Sequence, residues 1–214
     1  MVADFLLIGS LAPEELPGRL AIDGAEHANR AARAGEGGIL ALPHMGSWDF
    51  AGALGTMLGY RLSAVAEAFP GSLDEAVVET RSLLGLDIIP LGRAAVRAIN
   101  QRLDQGQLVA LLCDLPPPRG AGVEVSFFGK RAVVASGPAA IAIKRRVPLL
   151  PVFSRRDGPG HYRVHVDPPV ELPDVEAVGR KDAPAAMMQR LMERFEGFIR
   201  AYPEQWYAFK PMLR

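Results

Sequence analysis

Residues 42–49, LPHMGSWD, place a histidine and a carboxylate five positions apart around a glycine. An apolar run leads into His44 and a stretch of helical spacing follows Ser47, so the pair lies across a predicted strand-to-helix junction. Ser47 is at the N-cap position, which puts Asp49 in the first helical turn, where the helix dipole favours an ionised carboxylate. If that carboxylate folds back onto the imidazole, it fixes the tautomer of His44 and leaves the other ring nitrogen free as a general base. Gly46 removes side-chain bulk where a substrate must approach.

Two other interpretations of these residues stay open at this point. A histidine near an aspartate is often a satisfied polar pair or a helix cap without a catalytic role. A metal site is less favoured, because no second histidine or cysteine lies at ligand spacing near His44, and His161 and His165 fall on one predicted strand. Cys113 lies in the apolar run LVALLCD, which favours a packed side chain over a nucleophile.

Apolar runs of strand length alternate with amphipathic segments along most of the chain. The pattern predicts strands over 37–44, 61–68, 86–91, 108–114 and 123–129. It predicts helices over 47–60, 72–85, 93–106, 137–146 and 183–201, and a hairpin formed by 148–156 and 161–172. Ser72 and Glu75 fit a capping box, Gly85 fits a helix stop, and Pro138 fits a first helical turn.

These elements predict a single α/β domain over residues 1–214, with a mostly parallel central sheet and helices on both of its faces. Ligands of open α/β sheets bind beyond the carboxyl ends of the strands. The first strong strand ends at His44, so the histidine is predicted to lie at that binding edge.

Composition narrows the function classes further. The 24 basic and 24 acidic side chains cancel, so no global field attracts nucleic acid. The single cysteine excludes an internal disulfide framework. No apolar run reaches the roughly 18–20 residues of a membrane-spanning helix, and the opening segment lacks the basic region of a signal peptide. Association with a membrane surface stays open, with Phe5, Leu6 and Leu7 as candidate contacts.

HMGSWD matches the H-x4-D motif of the glycerolipid acyltransferase superfamily. The wider order of segments is more specific: AEAFPGSLDEAVVETRSLLGLDIIPL, then CDLPPPRGAGVEVSFFGKRAVVASGPAAIAIKRRVPLLPVF, then YPEQW. Together they resemble the bacterial branch that contains the lipid A biosynthesis acyltransferases and the phosphatidylinositol mannoside acyltransferases, from about residue 10 to 207. VEVSFFG is most similar to the mannoside type.

The resemblance implies a glycerolipid-acyltransferase-like α/β fold with its active site in a groove at the strand ends. It implies transfer of a fatty acyl chain from acyl-CoA or acyl-carrier protein to a hydroxyl of a membrane lipid or glycolipid, with no cofactor and no metal. His44 would deprotonate the acceptor, and Asp49, or another nearby carboxylate, would orient His44. The expected location is peripheral, on the cytoplasmic face of the cell membrane, and the expected partners do not include nucleic acid.

The resemblance also implies roles for residues outside the motif. Arg81 would bind a phosphate of donor or acceptor, and Glu67 would line the acceptor groove. Glu124 would be a second carboxylate near His44. For each of these three, a solvated surface side chain is the alternative.

A further group is expected to bind substrate. Lys130 and Arg131, with the helix N-terminus at Gly137, would form an anion site for a phosphopantetheine or nucleotide phosphate. Basic residues in a surface turn are the alternative. Gly46, Ser47 and Asp114 complete the residues assigned to the substrate site, and Ser47 fits a helix cap better than a nucleophile.

The chain departs from its relatives in two ways. Where mannoside-type relatives usually have D-R-D, this chain keeps Asp114 and has Leu115 and Pro116 in place of the charged pair. Only 43 residues precede His44, so we expect the longer N-terminal helical segment of relatives to be missing. These departures leave two alternatives open: a non-catalytic lipid-binding member of the family, and a thioesterase that uses the same His–Asp pair.

Overall fold

The apolar runs of the sequence become the strands of a central sheet in the computed structural model of the protein, which describes residues 2–33, 35–68, 71–117 and 122–207. The strands are β1 (Leu20–Asp23), β2 (Gly38–Leu42), β3 (Leu62–Ala66), β4 (Asp87–Pro90), β5 (Leu108–Leu112), β6 (Gly122–Phe127), β7 (Lys130–Ala135), β8 (Leu149–Gly158) and β9 (His161–Val166). The helices are α1 (Val2–Ser10), α2 (Ala25–Arg33), α3 (Trp48–Met57), α4 (Ser72–Leu83), α5 (Ala95–Asp104), α6 (Gly137–Arg145), α7 (Val175–Val178) and α8 (Ala183–Ala201).

The sheet has the strand order β1-β9-β8-β2-β5-β3-β4 over the described residues. Five of its six neighbouring pairs are parallel, and only the β8–β9 hairpin is antiparallel. The predicted fold class, a mostly parallel α/β sheet with flanking helices, is therefore confirmed. Strand β2 lies at the centre between β8 and β5, and its carboxyl end leads directly into the predicted site.

Alternate residues of β2 pack into two different hydrophobic cores, because successive side chains of a strand point to opposite faces. Ile39 and Ala41 pack into a core with side chains of α5, α6 and α8. Leu40 and Leu42 pack into a second core with side chains of α2 and α3. All five residues of β2 are buried, as a central strand covered on both faces requires.

The predicted elements are observed with shifted ends. The hairpin strand β9 stops at Val166 rather than 172, because Pro168 and Pro169 cannot donate ladder hydrogen bonds. Helix α4 begins at Ser72, so Gly71 occupies the N-cap without a side-chain capping hydrogen bond, and the predicted capping box with Ser72 as N-cap was wrong. Gly85, with a φ of 76°, ends that helix as predicted. The structure adds α1, β1, α2, β7 and α7, which the pattern did not predict. None of the described helices is long and apolar enough to cross a bilayer.

Helix α1 is held against the sheet by a charged cluster. The Asp4 carboxylate, with 5% of the residue exposed, accepts hydrogen bonds from Arg156 Nε at 2.9 Å and from the Tyr162 hydroxyl at 2.7 Å. The Tyr162 ring in turn stacks on Phe50 of α3 at 3.8 Å between centroids. Burial alone would raise the pKa of Asp4, but the hydrogen bonds from Arg156 and Tyr162 outweigh it and lower the pKa to about 2.

We expect the Asp4→Asn variant to be less stable than the parent by about 1–2 kcal/mol at neutral pH, after allowance for the solvent that reaches Arg156. Because the pKa of Asp4 is lower in the folded state than in the unfolded state, its ionised form stabilises the fold at pH values above the ordinary pKa of a carboxyl group. That contribution disappears as the pH falls from about 4 towards 2. Urea unfolding at pH 7, 4 and 2 checks this: the difference between parent and variant should shrink as the pH falls. A difference that stays constant or grows would contradict the assignment.

Candidate active site

The pairing of β2 with β5 brings His44 beside Asp114. The two strands are parallel, and Leu42 is in register with Leu112. His44 and Asp114 each lie two residues beyond these partners, so their side chains emerge side by side at the carboxyl edge of the sheet. The His44 Nδ1 atom lies 2.6 Å from Asp114 Oδ1. A carboxylate can only accept, so the proton of this bond belongs to Nδ1 and Nε2 carries the free lone pair.

The Asp114 carboxylate is fully buried, and donors meet both of its oxygens. Oδ2 accepts from the His44 backbone N–H at 2.9 Å and from the Trp206 indole N–H at 2.8 Å. His44 keeps 23% of its side chain exposed, whereas Asp114 has none. The imidazole therefore stands between a buried negative charge and the solvent, the arrangement of a general base with its orienting carboxylate.

The predicted hydrogen bond between Asp49 and His44 was wrong, because the partner of Asp49 is Arg81 and that of His44 is Asp114. The Asp49 carboxylate accepts from Arg81 Nε at 2.8 Å, and the two side chains are only 7% and 12% exposed. Asp49 lies on α3 and Arg81 on α4, so the ion pair ties together the helices that follow β2 and β3. Arg81 is thus a largely buried ion-pair partner and not a solvated helix residue, and its role in binding a phosphate stays a prediction.

The residues between His44 and Asp49 are shaped by β8. Gly46 has a φ of 59°, and a Cβ there would lie 2.0 Å from the carbonyl oxygen of Ser154. The close approach of the protein's own backbone is therefore sufficient to require a glycine here, and the approach of substrate at Gly46 stays a prediction. Ser47 does occupy the N-cap of α3, but its hydroxyl makes no capping hydrogen bond. Instead, the Ser154 hydroxyl accepts from the Ser47 N–H at 3.3 Å and donates to its carbonyl at 2.8 Å.

A segment after α8, residues 203–207, closes over the motif, and we call it the C-terminal strap. It runs antiparallel to residues 44–46: the Gly46 N–H donates to the Gln205 carbonyl at 3.0 Å, and the Tyr207 N–H donates to the His44 carbonyl at 2.7 Å. The Gln205 amide bonds the backbone of Arg156 through both its oxygen and its nitrogen. The strap is thereby fixed to β8 and to the His44 loop at once.

The FFG segment forms the turn of the β6–β7 hairpin and packs on the strap. Phe128 and Gly129 have φ values of 53° and 72°, as a two-residue hairpin turn with two left-handed residues requires. Phe127 is fully buried, and its ring lies 5.8 Å from that of Trp206. The Phe128 ring lies 5.7 Å from the same indole. The turn therefore supports the tryptophan that bonds Asp114.

Glu124 is not brought to His44. It lies on the exposed face of β6, where it forms an ion pair with Arg131 of β7. That partner lowers the pKa of Glu124, so the side chain is an ionised surface group. The expectation of a second carboxylate near His44 is met by Asp114 instead. Glu67 follows the carboxyl end of β3 and is exposed, on the edge of the sheet where the site lies.

The predicted anion site is not assembled. Lys130 and Arg131 begin β7 at the hairpin turn, whereas Gly137 begins α6 beyond the other end of that strand. The six residues of β7 span roughly 16 Å, so the two basic side chains and the helix N-terminus do not converge. Arg131 is already engaged by Glu124.

Cys113 is a core residue, as predicted. Burial, together with the neighbouring charge of Asp114, raises the pKa of its thiol well above the ordinary range, so a thiolate does not form. Within the described residues, no three His, Cys, Asp or Glu side chains are grouped so that they could hold a metal ion.

The family of bacterial lipid A biosynthesis acyltransferases matches the chain over residues 2–214. The chain belongs to this family. It is similar to the phosphatidylinositol mannoside acyltransferase of Mycobacterium tuberculosis strain H37Rv, with 32% identity over 89% of this chain and 58% of that protein. It is also similar to the phosphatidylinositol mannoside acyltransferase of Mycolicibacterium smegmatis, with 33% identity over 87% of this chain and 60% of that protein. The chain thus spans about three-fifths of the length of these relatives.

In this member of the lipid A acyltransferase family, the sequence pattern did not predict the hydrogen bond from Trp206 to Asp114. The indole has a donor and no acceptor, and a partly buried Trp usually finds a partner for that N–H. That rule was a usable signal that an acceptor must lie near residue 206. The rule did not identify the acceptor, because Asp114 is 92 positions away in the sequence and becomes a neighbour of Trp206 only in the folded chain.

We expect the Asp49→Asn variant to lose about 3 kcal/mol of unfolding free energy, because it leaves the Arg81 guanidinium in a poorly hydrated position without its counter-charge. Urea unfolding followed by circular dichroism measures this. The double variant Asp49→Leu/Arg81→Met should recover much of the loss. Glu124→Gln, which breaks an exposed ion pair, is the matched control and should leave the midpoint unchanged. An Asp49→Asn protein of parental stability would contradict the structural role.

Proposed function

We propose that the protein is an O-acyltransferase that moves a fatty acyl chain from a thioester donor to a hydroxyl of a membrane lipid or glycolipid. The observation that carries the proposal is the His44–Asp114 hydrogen bond at the carboxyl edge of the parallel sheet. Membership of an acyltransferase family supports the reaction class. The free Nε2 of His44 faces away from the buried carboxylate and is the atom that would meet the substrate.

The acceptor hydroxyl gives its proton to His44 Nε2 while its oxygen attacks the thioester carbonyl carbon. Asp114 holds the imidazole by Nδ1 and stabilises the positive charge that the ring then carries. Because the carboxylate is fully buried and already receives three hydrogen bonds, it can stabilise the imidazolium without rearrangement.

The tetrahedral intermediate then collapses. The carbon–sulfur bond breaks, the new ester remains on the acceptor, and the proton on Nε2 passes to the leaving thiolate. No acyl-enzyme forms in this scheme: the buried Cys113 has a raised pKa, and Ser47 is buried and lies at the helix cap. The imidazole returns to its starting protonation state after each turnover.

The proposed acceptor class is a mannosylated phosphoinositide or a related glycolipid, because two similar proteins are phosphatidylinositol mannoside acyltransferases. The proposed donor is acyl-CoA or acyl-carrier protein. Such an acceptor requires a peripheral position at a membrane, which we assign to the cytoplasmic face. Leu6 of α1, 67% exposed, is consistent with contact to lipid.

We expect His44→Ala and Asp114→Asn to lower kcat by about 10²–10⁴, the usual contribution of a positioned general base. The measurement is thiol release from acyl-CoA and acyl-carrier protein, coupled to mass spectrometry of the acylated lipid, with a panel of lysophospholipids and mannosylated phosphoinositides. His165→Ala and Asp167→Asn are matched controls, because these residues form another His–Asp hydrogen bond, at 2.8 Å, at the end of β9. Both controls should keep parental activity.

Other outcomes identify other functions. Thiol release without an acylated lipid, lost in His44→Ala, would indicate a thioesterase. A copurified lipid with no turnover of any donor would indicate a non-catalytic lipid-binding protein. Equal turnover in the parent and in both site variants would reject the proposed roles of His44 and Asp114.

A further inference from the structure

We propose that Trp206 is a positioning residue, whose indole N–H sets the orientation of the Asp114 carboxylate and through it the tautomer of His44. The expected change in kcat rests on the proposed acyl transfer. The expected change in the His44 tautomer rests on the hydrogen bonds of the described residues. Within the part of the chain that the structure describes, the Trp206 indole N–H donates to Asp114 Oδ2 and not to His44, so it acts through Asp114.

The two oxygens of Asp114 have separate tasks. Among the described residues, Oδ1 accepts from His44 Nδ1, whereas Oδ2 accepts from two donors, the His44 backbone N–H and the Trp206 indole N–H. These two donors fix the plane of the carboxylate, so that Oδ1 points at the imidazole. Without the indole, one backbone N–H alone would hold Oδ2, and a fully buried acceptor position would be left without its second partner.

The surroundings of Trp206 hold its N–H in place. The indole contacts the rings of Phe127 and Phe128 on the hairpin turn. The residue before it, Gln205, is bonded to the Arg156 backbone, and the residue after it donates to the His44 carbonyl. A side chain that only filled space would not need an N–H group, because a phenylalanine could also contact the rings of Phe127 and Phe128.

Removing this hydrogen bond while keeping the aromatic ring therefore distinguishes a positioning role of Trp206 from a packing role. Removing a hydrogen bond to a charged group has a characteristic cost that corresponds to roughly tenfold to a hundredfold in rate. A positioning residue that does not touch substrate should change kcat and leave KM nearly unchanged. It should also change the distribution of the proton between the two nitrogens of His44.

The test compares the parent with Trp206→Phe, which keeps an aromatic ring and removes the N–H. A second variant replaces Trp206 with benzothienylalanine, which keeps the bicyclic shape and also lacks the donor. Kinetics give kcat and KM, and nitrogen NMR of histidine-labelled protein reports the tautomer of His44, assigned by its loss in His44→Ala. Amide exchange at Gly46 and Tyr207 reports whether the strap stays docked.

In both variants we expect kcat to fall by roughly ten- to a hundredfold with KM within about twofold. The Nδ1–H form of His44 should give way to a mixture of tautomers while the two amides stay protected. An unchanged tautomer in the docked benzothienylalanine protein overturns the proposal, whatever the rate. If the parent transfers no acyl group, the proposed function fails, and the tautomer measurement decides on Trp206 separately.

Discussion

A carboxylate buried without any exposed surface is the constraint on which the site depends. Ionised Asp114 is tolerated in the interior only because donors meet it from two directions. One donor pair comes from the loop after β2, and the third donor comes from the C-terminal strap. The need to satisfy one charge thus links the last described segment of the chain to the loop after β2.

The three charged pairs that the structure buries have different tasks. Asp49 with Arg81 joins two neighbouring helices, and Asp4 with Arg156 anchors the first helix to the sheet. Arg156 also donates to the Tyr207 hydroxyl at 2.8 Å, so the anchor of α1 reaches the strap. Among these three pairs, only Asp114 is paired with a histidine, a side chain suited to proton transfer. Within the H-x4-D motif, Asp49 therefore pairs with Arg81, and the carboxylate that bonds His44 comes from outside the motif.

The sequence was sufficient for the fold class and for the place of His44, because the apolar runs and the helical periods are local signals. It was insufficient for the partner of His44. Two aspartates were available, and spacing favoured Asp49, since a position five residues away is close in sequence. Asp114 is 70 residues away, and only the adjacency and register of β2 and β5 make it the neighbour. The same limit applied to Glu124: its strand was predicted, but the pattern could not decide between a place near His44 and the exposed face on which it lies.

The turn at Phe128 has a consequence for how this family varies. A bulky residue with left-handed backbone costs about 1–2 kcal/mol, so its ring must return that energy through its contacts with Trp206 and with the Arg200 guanidinium. Phe128 and Trp206 are separated by some 78 positions, yet the turn and the strap each lose stabilising ring contacts if the other changes. Substitutions at 128 and 206 should consequently co-vary among homologues. A lineage that loses the indole should also relax its hairpin turn towards Asn-Gly.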